Sequence, residues 1–174
     1  MTIGKFSVII IVIKLEVTNI MPKLNVKKAL AIIQKDLQKT WAKLTFKYEV
    51  VDAEEVKITS NVTLKNIDDS ILVVINVYGN GNCSFRVVFD KIVKTGESLF
   101  LINQFNDDEY YFKGFIRDDD YLEFKHICVC YDLKNLKTYA GDFLYKVANR
   151  LPDNESVIKL SALTSANIGG EIGN

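Results

Sequence analysis

From Leu44 onward the apolar residues of this chain recur at every second position, and no other feature restricts its fold as tightly. Leu44, Phe46, Tyr48 and Val50 alternate with Thr45, Lys47 and Glu49; after a turn at Asp52 to Glu55 the rhythm returns in Val56, Ile58, Ser60, Val62 and Leu64. Successive side chains of a strand point to opposite faces, so this spacing prescribes strands with one buried face. Residues 71 to 78, "ILVVINVY", are apolar at nearly every position and predict a central strand covered on both faces. The next strand puts Cys83, Phe85, Val87 and Phe89 on one side. For these to lie beside Ile71, Val73, Ile75 and Val77, odd positions must pair with odd. A three-residue loop, Gly79-Asn80-Gly81, achieves this, with Gly81 in the left-handed conformation.

A second hairpin follows from "FNDDEYYFKGFIRDDDYLEFKHICVCYD", residues 105 to 132. Strands are expected at 110 to 117 and 121 to 131. Tyr110, Phe112, Gly114 and Ile116 share one face, and Leu122, Phe124, His126, Cys128 and Cys130 share one face of the partner. The odd-length loop Asp118-Asp119-Asp120 sets Gly114 opposite Phe124, whose ring covers the glycine, and Lys113 opposite Lys125. The other face carries Tyr111, Phe115, Ile127 and Val129. Two amphipathic helices leave such a face uncovered, which makes these four residues the candidate protein-interaction face.

Helical spacing appears at both ends. Asn25 caps a stripe of Val26, Leu30, Ile33, Leu37 and Trp41, with Trp41 as its core anchor; Asp132 caps a second of Leu133, Leu136, Ala140, Phe143, Leu144 and Val147, which Pro152 stops. Glu97 to Asn106 reads as a short helix with Leu99, Ile102 and Phe105 roughly on one side, with a strand as the alternative. The fold expected is α+β: an antiparallel sheet of about six strands in meander hairpins, flanked by N-terminal and C-terminal amphipathic helices. Residues 21–151 form its single domain, and 152–174 add a helical turn or two and a flexible tail. In 1–20, the run from Val8 to Ile13 is too short to span a bilayer, and no small-residue cleavage site follows. Leu15-Glu16-Val17 is encodable by a ribosome-binding sequence shortly before Met21, so Met21 is the expected native start.

Lys+Arg and Asp+Glu stand at 22 each, leaving no global field to draw nucleic acid or anionic membrane. Three cysteines make no disulfide framework and fit a reducing cytoplasm. His126, Cys128 and Cys130 alternate along a strand, so their side chains spread over about 13 Å instead of converging on a metal ion. They are expected as core thiols and a half-buried histidine. Asp118 to Asp120 lack the alternating ligands, glycine and distal glutamate of a calcium loop and read as turn residues, and Asp107 to Glu109 read as the solvated end of a helix. No catalytic set, metal site or cofactor site emerges.

The segment "LFLINQFNDDEYYFKGFIRDDDYLEFKHICVCYD" resembles the corresponding region of the type III secretion chaperone-like superfamily, including its YbjN-type bacterial relatives. Those proteins carry a leucine-rich segment with an Asn near "INQFN", then a strand, an acidic turn, a hydrophobic strand and a C-terminal helix. The likeness in element order covers about residues 25 to 150, and residue by residue only Leu101 to Phe124. Four strands precede the middle helix here, and the chain is neutral where secretion chaperones tend to be acidic. The resemblance implies a small, often dimeric, non-enzymatic protein that binds other polypeptides or itself. Two other classes stand beside it: a structural or host-interaction protein of a virus or mobile element, and a hydrolase using the carboxylates from Asp107 to Asp120.

Overall fold

A computed structural model describes residues 23–67, 70–130 and 132–170. The chain runs α1 (Val26–Thr40), β1 (Lys47–Val50), β2 (Glu55–Thr63), β3 (Ser70–Tyr78), β4 (Asn82–Lys91), α2 (Gly96–Asp108), β5 (Lys113–Ile116), β6 (Tyr121–Val129), α3 (Leu133–Asn149), a 3-10 turn (Leu151–Asp153) and α4 (Glu155–Gly170). The strands form one antiparallel sheet in the order β1-β2-β3-β4-β6-β5, which is the α+β class expected. The order departs from a plain meander in one place. Long β6 pairs with β4, and four-residue β5 is left on the edge.

Local chemistry sets the boundaries. The Asn25 side chain accepts from the Lys28 N–H at 3.0 Å and the Asp132 side chain from the Asn135 N–H at 2.7 Å, each satisfying a donor orphaned at a helix start. Thr95 and Ser98 cap α2 reciprocally: the Ser98 N–H donates to Thr95 Oγ1 and the Thr95 N–H to Ser98 Oγ. Both hairpins take the registers that face parity demands. Val77 pairs with Cys83 around Gly79-Asn80-Gly81, with Gly81 at φ +86°. Gly114 pairs with Phe124 and Lys113 with Lys125, with Asp120 at φ 69° in the turn.

The core lies on one side of the sheet. From the strands it takes Val56, Ile58, Ile71, Val73, Ile75, Val77, Phe85, Val87, Phe89, Leu122 and Phe124; from the helices it takes, among others, Ile33, Leu37, Leu101, Phe105, Leu136, Phe143 and Leu160. None of Leu72, Val74, Val88, Phe115, Ile127 or Val129 joins this cluster. The described helices therefore cover one face only. The expectation that β3 is covered on both faces is corrected: its second face is shielded by neighbouring strand side chains, and Leu72 is 38% exposed there.

Several further expectations change. Tyr110 and Tyr111 precede β5 instead of forming part of it; Tyr110 is 93% exposed, and Tyr111 packs against the core. Tyr111 therefore leaves the face it was expected to share with Phe115, Ile127 and Val129. Its backbone is diverted from the ladder, because its N–H donates to Glu109 Oε1 at 2.8 Å and its carbonyl lies 2.8 Å from His126 Nδ1. In α2, Leu99 is exposed, and Ser98, Leu101, Ile102 and Phe105 face inward. The helical turn expected after Pro152 is a 16-residue helix whose Val157 and Leu160 are fully buried. Leu44 and Phe46 pack on the core ahead of β1 without joining it. The run from Val8 to Ile13, Met21 and the last four residues lie outside the described residues.

Candidate functional site

The open face of the sheet carries a polar row that crosses adjacent strands. Glu55 on β2 accepts from Asn76 Nδ2 at 2.7 Å, and Asn76 Oδ1 accepts from Arg86 Nη2 at 2.9 Å. Arg86 then lies 3.8 Å from Glu123 on β6, and Arg117, just past β5, lies 3.5 Å from the same carboxylate. Glu123 is only 3% exposed although no described helix covers it. Strand alternation places all these side chains outward, so the row screens itself: each side chain buries its neighbour. Two carboxylates and two guanidiniums balance, and a buried charge is tolerated when it is paired in this way.

Apolar side chains flank the row. Leu72 pairs with Val88, which pairs with Glu123, which pairs with Phe115; two outward rungs further, past Arg86 and Lys125, Ser84 pairs with Ile127. Ile127 is 61% exposed and Val129 41%. Phe115 is half-buried. Three of the four residues expected to form an interaction face thus stand on one open surface. The fourth, Tyr111, lies on the opposite side.

Tyr111 belongs to a second cluster, beneath α3. Its ring stacks on His126 with centroids 3.9 Å apart and planes 7° from parallel, and Lys146 of α3 sits 4.1 Å above it. Lys146 also pairs with Asp142. The Tyr111 hydroxyl is buried without a hydrogen-bond partner, and burial, then the Asp142 charge, pushes its titration up. Cys128 is half-buried beside His126, and Cys83 and Cys130 are fully buried. Hydrogen bonding with Cys128 raises the histidine against the opposing effect of burial. Among the described residues no three His, Cys, Asp or Glu side chains are placed to hold a metal ion.

The acidic clusters sit where turn chemistry puts them. The Asp120 N–H donates to the Arg117 carbonyl at 3.1 Å, and the Arg117 N–H to Tyr121 at 2.9 Å. Asp119 pairs with Arg117 and Asp120 lies 3.8 Å from Lys94, both at the surface. Asp107 and Asp108 end α2.

Sequence periodicity assigns no role to Asn106, although it lies in the "INQFN" stretch that carries the resemblance. Its amide donates to the Gly114 carbonyl at 2.9 Å and accepts from the Gly114 N–H at 2.7 Å, imitating a strand partner for β5. Only the edge position of β5 makes such a partner necessary, and that position depends on the non-local pairing of β4 with β6. No helix among the described residues is long and apolar enough to cross a membrane. No protein-family model matches this chain, and no curated protein is significantly similar to it.

Proposed function

We propose that this chain is a non-enzymatic protein-binding module that docks another polypeptide, in the first instance a second copy of itself, on the open face of its sheet. One observation carries this reading: Leu72, Phe115, Ile127 and Val129 stand exposed or half-exposed around a polar row whose charges are already paired within the chain. Exposed apolar surface of this kind marks interaction sites, and internally neutralised charges do not repel an identical copy. The likeness of Leu101 to Phe124 to the type III secretion chaperone-like superfamily supports the same reading, a small chaperone-like binding protein. Free cysteines fit a cytoplasmic setting for it.

Light scattering after size-exclusion chromatography, from low to high micromolar protein, is the test. A dimer at the upper end is expected, and Ile127→Lys returns it to monomer with the melting temperature unchanged. A monomer at every concentration, together with wild type and Ile127→Lys recovering the same proteins from native cells, would overturn the reading.

A further inference from the structure

Cys83 and Cys128 occupy directly opposed positions on β4 and β6. The Cys130 N–H donates to the Gly81 carbonyl at 2.7 Å, which identifies the hydrogen-bonded rungs of this ladder. Counting by twos makes Cys83 and Cys128 such a rung, where opposed Cα atoms lie about 5.5 Å apart. That separation falls inside the roughly 4.4–6.8 Å that a disulfide spans, but the Cβ atoms of such a rung stand about 5.5 Å apart, so β4 and β6 must draw together by about 1 Å for the bond to close; the Cα diagonal from Cys83 to Cys130, about 7–8 Å, is wider still. Cys128 and Cys130 stand about 7 Å apart on one strand, with Cβ bonds parallel instead of converging. Cys130 also approaches Cys83, but its thiol donates to the Asp132 carbonyl at 2.9 Å, so Cys128 is the partner directly opposed to Cys83.

The two members of that pair are unequal. Cys83 is fully buried and Cys128 half-buried, so a reagent entering from solvent meets Cys128 first. The groups facing Cys128 are Cys83 from β4, His126 and Cys130 from its own strand, Tyr111 from the segment before β5, and Lys146 with Asp142 from α3. The neighbouring Cys83 thiol, and then His126, draw Cys128 below the usual thiol range against the opposing effect of burial. The approach of Cys128, then burial, pushes Cys83 up, and its thiol faces the Gly81 carbonyl at 3.7 Å. A half-buried cysteine of lowered pKa at the entrance, with a fully buried one directly behind it, is the arrangement of an attacking and a resolving cysteine.

We propose that Cys83 and Cys128 are a modification site, closing into a reversible cross-strand disulfide when the protein meets hydrogen peroxide. Cys128 Sγ attacks one peroxide oxygen, the O–O bond breaks, and the departing hydroxide takes a proton to leave as water. Cys128 is then a sulfenic acid. Cys83 Sγ attacks its sulfur, the S–O bond breaks, and the hydroxyl leaves with the Cys83 proton as a second water. Peroxide gains two electrons, the two thiols lose them, and a dithiol reductant reverses the change. This site is independent of the binding face, although the bridge would pin β4 to β6 directly behind Ile127 and Val129.

The full chain, reduced and then treated with equimolar hydrogen peroxide, is followed by intact mass. A loss of about 2 Da, restored by dithiothreitol, is expected for wild type and for Cys130→Ser. Cys83→Ser should stop at a sulfenic acid on Cys128 that dimedone captures, and Cys128→Ser should not change. An unchanged wild-type mass, added oxygen without loss of hydrogen, or the same loss in Cys128→Ser would overturn the proposal. Should a serine variant fail to fold, a non-reducing peptide map of oxidised wild type decides, because it must join the Cys83 peptide to the Cys128 peptide.

Discussion

Phe124 is fully buried between three neighbours: it meets Phe105 edge-on at 4.6 Å and Phe89 at 5.5 Å, and its ring fills the space that a Cβ on Gly114 would enter. Phe124→Ala leaves a cavity against side chains that cannot all collapse into it, and should cost about 3 kcal/mol in urea melts. Asp118→Asn with Asp120→Asn should change stability by less than about 0.5 kcal/mol, because asparagine also tolerates the left-handed position and the ion pairs there are exposed. Equal small effects from both variants would contradict the assignment of core and turn. Asn106→Leu should cost about 2 kcal/mol, since it strips both partners from the Gly114 backbone. Placement of single residues was legible where face parity decided it, as for Gly114 opposite Phe124. It failed at Tyr111, where side chains of Glu109 and His126 take the backbone groups that a strand would have used.

Elements explain what periodicity missed. The inward side of α2 includes Ser98, which the reciprocal cap with Thr95 holds in place, so the helix turns Leu99 outward. The inward side of α4 includes Ser156, Ser161 and Thr164, so its amphipathic contrast is erased in the sequence although the helix is well packed. A chain ending at Asn154 should lose about 4 kcal/mol, from the two fully buried side chains Val157 and Leu160. Cys83 and Cys128 were not seen as partners for a related reason: parity fixes which faces meet, but α2 separates β4 from β6 and hides that they are neighbours. The polar row that crosses these strands behaves as a unit. Arg86→Met should cost about 2 kcal/mol, less than a fully buried pair because Arg117 still reaches Glu123. The double variant Arg86→Met with Glu123→Leu should recover most of that loss in a double-mutant cycle.

For the whole molecule, the sheet with helices on one side and a patterned open face makes association the central question. If apolar flanks drive it, the dimer should persist between roughly 0.05 and 0.5 M salt, because Arg86, Arg117 and Glu123 are paired within the chain and screening has little of that contact left to weaken. Dissociation over that range, followed by sedimentation, would place the contact on the exposed lysines instead. The two ends of the sheet add a constraint on how any larger assembly grows. With the outward amide and carbonyl of Gly114 occupied by Asn106, β5 offers little to an incoming strand, and among the described strands β1 is the other rim. Molecules joining rim to rim through β1 would consume both receptive ends at once. Strand pairing alone is therefore self-terminating, since rim-to-rim contact through β1 stops at two sheets, and anything longer has to alternate it with contacts through the open face.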